Sequence, residues 1–277
     1  MLDLFQYEFM QNALFAGLMI GLISPLVGIY LVVKRLSLIA DALSHVTLSG
    51  IAAGLFIQKQ FGLAVQPLYT GMLFAVGGSL FTEQIRKRYP SYQELAIPIL
   101  LSGGIALGVV LISATDGFNV DIAGYLFGNI LAVGRVELNT IFIVGGLVLI
   151  FFTLFYKEMF AVSFDEEHAI LSGVRQRMIQ LGFSLIVAIV IAVSMRVVGI
   201  LLVSALMTLP VATSLQFCNS FKQTMFWSIV FAEFSVLMGL LGAYYLDWAS
   251  GGTIVLVAIV LLLSGFLIKR LRMKFVS

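Results

Sequence analysis

The chain has 277 residues, 61% of them hydrophobic and 11% charged, with a mean hydropathy of +1.09 and a formal net charge of +2. A soluble domain carries about 25% charged residues, so this chain has too little polar surface to face water all round, and an all-α integral membrane fold is expected. One cysteine, Cys218, excludes an intrachain disulfide and a cysteine-cluster metal site; the net charge points to no class of partner, and no nucleic acid is expected.

The chain opens with MLDLFQYEFMQ, which holds two acids and no Lys or Arg. A secretory signal starts with a basic region, so this reads as the mature N-terminus. A spanning helix needs about 20 mostly apolar residues. Nine stretches qualify: 12–33, 37–57, 66–85, 95–115, 136–156, 178–195, 198–217, 224–246 and 251–268. The junction at Arg196 is the least sharply marked, because 178–217 is almost continuous. The stretch 120–134 is too short to span and reads as a re-entrant or interfacial helix shielded by protein. Pro25 and Pro210 fall inside spans and should kink or break them. Four GxxxG spacings occur, Gly17/Gly21, Gly50/Gly54, Gly104/Gly108 and Gly124/Gly128. Such spacings let helix backbones approach closely in lipid, and ordinary packing is the expected use. No repeat or linker divides residues 1–277, so a single membrane domain is expected.

Orientation follows from Lys and Arg in the connecting segments. With the N-terminus outside and the C-terminus in the cytoplasm, thirteen of the sixteen basic residues fall on the inner side. Only Lys59, Arg135 and Arg196 fall outside, and nine crossings make opposite termini consistent.

The inner segment 157–177, KEMFAVSFDEEHAILSGVRQR, is the longest and most charged. Asp165 suits an N-cap, Glu166 and Glu167 a first turn, and Gly173 a C-cap. A helix of about two turns on the cytoplasmic face is expected, either a solvated connection or a docking element for a cytoplasmic partner.

Asp41 and His45 lie four residues apart in an apolar segment, on one face of a helix. Ionisable residues inside a membrane cost about 2.5–3.5 kcal/mol on insertion scales and default to a functional hypothesis. Imidazole and carboxylate are common ligands of transition metals. Two such ligands make a weak site that a moving ion can visit and leave. The structural alternative is Asp41 bonded to Ser37, Ser44 or a backbone amide, with His45 a satisfied buried group. Glu233, mid-span, is either paired with a neighbouring helix or a second station. Ser204, Met207 and Thr208, near Pro210, could line a path. There is no phosphate-binding loop of the Walker type and no His-Glu-x-x-His, so neither ATP binding of that kind nor a zinc protease is supported.

Three stretches carry a resemblance. LVVKRLSLIADALSHVTLSGIAAG, 31–54, resembles the signature of the permease subunits of bacterial zinc, manganese and iron ABC importers, in which a basic pair and a Ser precede an Asp and a His and a Gly-rich helix follows. VGILLVSALMTLPVAT, 198–213, and FDEEHAILSG, 164–173, resemble two further patterns of that family. Ser49 stands where many members have Pro, so a less bent helix is expected there.

The resemblance implies an irregular helix bundle like the vitamin B12 and iron–siderophore permeases, in a bacterial cell membrane. It implies a homodimer with two cytoplasmic ATPase subunits that bind the ATP. A metal-binding lipoprotein or periplasmic protein would deliver the ion outside. Asp41 and His45 match the metal-coordinating positions, and Asp165, Glu166, Ala169 and Gly173 the ATPase-coupling loop. The cargo is a divalent metal, zinc first and manganese next, with no permanently bound cofactor and no enzyme activity in this subunit. A rival reading is a proton- or cation-coupled secondary transporter relaying through Asp41, His45 and Glu233 without an ATPase.

Overall fold

The fold is that of a computed structural model, described over residues 8–114, 120–128 and 133–276. The first seven residues of the N-terminal stretch, and residues 129–132 of the short stretch 120–134, lie outside the described residues. Every regular element is helical: α1 (Glu8–Val33), α2 (Leu38–Phe61), α3 (Pro67–Arg88), α4 (Ala96–Ala114), α5 (Val120–Phe127), α6 (Arg135–Leu154), α7 (Tyr156–Phe164), α8 (Glu166–Leu171), α9 (Gln176–Val198), α10 (Ile200–Ser214), α11 (Phe221–Leu246) and α12 (Ser250–Val276). A 3-10 turn, Pro90–Leu95, leads into α4.

Among the described residues, seven helices are long and apolar enough to cross a membrane. The expected nine is not reached by that measure, for two physical reasons. Helix α10 has 15 residues, which span about 22 Å of rise against a hydrocarbon core of about 30 Å. Helix α3 is too polar, with Thr82, Glu83 and Gln84 near a basic end of Arg86, Lys87 and Arg88.

Two contacts show how the helix ends gather. At one end, Glu8 at the start of α1 pairs with Arg135 at the start of α6, 2.5 Å apart. At the other, Lys34 in the α1–α2 turn pairs with Glu166 of α8 at 3.4 Å. Tyr30 near the end of α1 stacks on Phe152 and meets Phe221 edge-on, both at 5.2 Å between ring centroids. Phe160 of α7 packs on Phe221 as well, at 5.3 Å. These rings knit α1, α6, α7 and α11 beneath α8.

Helix α9 is largely enclosed, with Ile186–Ala188 and Val190–Met195 among its buried residues. It ends where Gly199 turns to φ +88°, a conformation open to glycine and costly for other residues. The break between the two spans is therefore at Gly199, three residues past Arg196. Arg196 lies 4.9 Å over the ring of Tyr125 in α5. Helix α5, the described helical part of that short segment, packs on α9, α10 and α12. Pro25 and Pro210 lie inside α1 and α10, and neither breaks its helix.

Two of the four glycine pairs pack against a neighbouring helix, while a Cβ on Gly124 would meet nothing within 4 Å. Gly50 and Gly54 face Phe74 and Thr70 of α3, and Gly104 and Gly108 face Val46 and Ser49 of α2. Helix α2 is thus held between α3 and α4 at close range.

Candidate metal-transfer site

Helix α2 begins directly after a four-residue turn, 34–37. Arg35 takes a left-handed φ of +57°, and the Leu36 amide returns to the Leu31 carbonyl at 2.8 Å. Ser37 occupies the N-cap position in a helical conformation and makes no capping bond. Asp41 supplies the negative charge that the exposed amides of a first helical turn favour.

His45 follows one turn later. Both side chains are half-buried, and neither forms a side-chain hydrogen bond among the described residues. Ser37 gives Asp41 no bond, and Ser44 Oγ is buried without a hydrogen-bond partner.

His45 lines a groove of about 390 Å³ between α2 and α4, with Leu48, Gly104, Ile105, Gly108 and Val109. The groove exists because α4 approaches α2 on glycines. A Cβ on Gly104 would come within 3.0 Å of the Val46 amide nitrogen. Ser49 Oγ donates to the Gly104 carbonyl at 2.5 Å and also lies 3.0 Å from the His45 carbonyl. Among the described residues, no three His, Cys, Asp or Glu side chains come together. Asp41 and His45 can supply two ligands, and any further ones come from elsewhere.

The remaining sequence candidates sit apart from the pair. Glu233 of α11 faces α1, where a Cβ on Gly21 would lie 3.2 Å from its Oε1. Its Oε2 is buried without a hydrogen-bond partner. Met207 of α10 is fully buried, and a Cβ on Gly28 would overlap its carbonyl. The Ser204 carbonyl accepts the Thr208 hydroxyl at 2.8 Å. Met207 packs at the seam of α10 with α1.

The 157–177 segment forms α7 and α8. Asp165 caps α8, accepting the His168 amide at 2.9 Å. Gly173 at φ +83° closes it, with Gly173 N–H on the Ile170 carbonyl and Val174 N–H on the Ala169 carbonyl, both at 3.0 Å. These two bonds make a Schellman ending. Ala169 is fully buried, while Leu171 is 86% and Phe164 60% exposed. The cap, the small inward residue and the glycine thus hold a short helix whose exposed residues are both charged, Glu166 and Glu167, and apolar, Ile170 and Leu171.

Sequence reasoning passed over a buried carboxylate, Glu83 of α3. It accepts from Ser184 at 3.2 Å and Gln180 at 3.5 Å, and lies 3.6 Å from Arg86. Ser79, Thr82, Glu83 and Arg86 fall at i, i+3, i+4 and i+7. That polar stripe at helical spacing was the signal available.

Residues 6–269 match the profile described as the ABC 3 transport family. The chain belongs to the ABC 3 transport family. Among its relatives, a probable metal transport system membrane protein of Treponema pallidum (strain Nichols) is 34% identical over 93% of this chain and 94% of its own length. The manganese transport system membrane protein MntC of Halalkalibacterium halodurans is 31% identical over 92% of this chain and 86% of its own. Among solved structures, PsaBC from Streptococcus pneumoniae in complex with Fab matches with a TM-score of 0.83 and 29% identity, over 95% of this chain and 92% of that one. This ABC 3 chain is therefore a metal ABC transporter permease.

Proposed function

We propose that the chain forms the path of an ATP-driven importer of a divalent transition metal, with Asp41 and His45 as a station the ion visits on its way. The observation that carries this reading is the pair itself: a carboxylate and an imidazole one turn apart, half-buried, and bonded to nothing else among the described residues. Zinc and manganese are the candidate ions. The imidazole–carboxylate pair accepts both, and raw affinity favours zinc; the relative named for manganese transport favours manganese.

Two ligands leave a zinc shell incomplete, which suits an ion that must leave again. A second copy of the chain, meeting the first along the exposed apolar face of α4, would bring a second such pair. Val109 and Val110, 61% and 64% exposed, mark that face. The working unit is then a homodimer with two cytoplasmic ATPase subunits seated on α8, which bind the ATP. A lipoprotein or periplasmic metal-binding protein delivers the ion to the opposite face. The N-terminus lies outside and the C-terminus in the cytoplasm. Helices α3 and α10 complete nine crossings in a bundle of the vitamin B12 and iron–siderophore permease type. ATP binding draws the ATPases together, moves α8 and switches the access of the α2 station from outside to inside.

The test is accumulation of zinc, manganese and iron in cells lacking the chain, with and without restoration. Restoration is expected to raise zinc or manganese only when the partner ATPase is intact. Uptake that persists without any ATPase would replace this reading with ion-coupled secondary transport.

A further inference from the structure

The start of α8 and the turn that opens α2 face each other across a cleft of about 270 Å³, lined among others by Lys34, Arg35, Arg86, Ser163, Phe164 and Glu166. Helix α8 packs on α7 and α9, on the far side of that cleft from α2. Across it runs the bond from Lys34 Nζ to Glu166 Oε1, 3.4 Å long.

Both ends of this bond are held. The Lys34 side chain is 10% exposed, so its stem is buried and only the ammonium is presented. Its amide is fixed on the Tyr30 carbonyl at 3.0 Å. The second Glu166 oxygen accepts from Gln176 Nε2, at the start of α9, at 2.7 Å. The carboxylate therefore points at Lys34 in a set direction. Lys34 belongs to the four-residue turn that opens α2, and the left-handed Arg35 makes that turn tight. Asp41 is seven residues on from Lys34, and within α2 it lies three residues, about 4.5 Å of helical rise, past Leu38.

We propose that the Lys34–Glu166 pair is the strut by which a displacement of α8 reaches the end of α2 that carries Asp41 and His45. The two are positioning residues: neither touches the ion, and they set where its ligands stand when α8 moves. This rests on the reading of α8 as the ATPase seat. Because Glu166 is 53% exposed, the pair is worth no more than a partly screened ion pair. Its loss should lower coupling by about fivefold, which is about 1 kcal/mol at 1.4 kcal/mol per tenfold.

The test uses the full complex with its ATPase and delivery protein in vesicles, measuring zinc and manganese uptake per ATP hydrolysed. Lys34→Glu is expected to lower that ratio about fivefold, and adding Glu166→Lys to restore most of it. Unimpaired coupling in Lys34→Glu, or a double variant no better than the single, overturns the strut. Should the charge reversal prevent assembly, Lys34→Gln and Glu166→Gln serve instead. Each should lower the ratio and the double should be no worse than either, since they remove one interaction; unchanged ratios, or additive losses, overturn it. Failure of the underlying reading looks different: the wild-type complex would then show uptake with no dependence on ATP.

Discussion

Ser49 reaches across from α2 to the Gly104 carbonyl of α4 at 2.5 Å, one turn beyond His45. This contact fixes the wall of the groove in which His45 stands. Ser49→Ala removes one buried hydrogen bond, worth about 1 kcal/mol, and should lower the melting temperature slightly while metal uptake persists. Gly104→Leu is expected to do more. Its side chain would drive into Val46, cost about 1–3 kcal/mol of overpacking and close the groove, so uptake should fall along with thermal stability. Wild-type uptake by Gly104→Leu would mean that the α2–α4 approach does not shape the site.

The second prediction concerns α8. Asp165→Ala removes its cap, at about 1 kcal/mol. Gly173→Ala forces a side chain into a φ of +83°, at about 1–2 kcal/mol. Ala169→Arg cannot be housed at a fully buried position and should lift the helix off α7 and α9. All three are expected to lower uptake per ATP in the assembled complex, Ala169→Arg most severely. Coupled transport unchanged in all three would remove α8 from the coupling route.

The third prediction tests the buried carboxylate. Glu83→Ala leaves the Ser184 hydroxyl and the Gln180 amide without their acceptor and Arg86 without its nearby carboxylate. The cost should be about 1–3 kcal/mol, the penalty of polar groups left unmade, read as a lower melting temperature in detergent. Glu83→Gln retains an acceptor oxygen and should lose less. Equal stability of Glu83→Ala and wild type would show that this network is not structural.

Local chemistry was legible in the chain, and its partners were not. The face shared by Asp41 and His45 follows from helical spacing alone. The cap of α8 follows from Asp165, and its ending from Gly173. The GxxxG pairs announce close packing, yet nothing in Gly104 or Gly108 names α2 as the neighbour. The caps in 157–177 announce one short helix, α8, whereas the segment folds as two, α7 and α8. Phe160 and Phe164 pack α7 against Phe221, more than 50 residues away in sequence, a contact that no local pattern carries. The break after α9 was placed near Arg196, although Gly199 is the better helix stop. Glu83 was missed because a single acid near the basic end of α3 reads as a solvated residue until the Ser79–Arg86 stripe is seen.

The most direct test of the account is ATP-driven zinc and manganese uptake by vesicles holding the full complex, compared between wild type and the single variants Asp41→Ala and His45→Ala. Each variant should keep the complex assembled and hydrolysing ATP while metal uptake falls to background. Wild-type uptake by both variants, of either metal, would contradict the central claim that the ion passes through this pair.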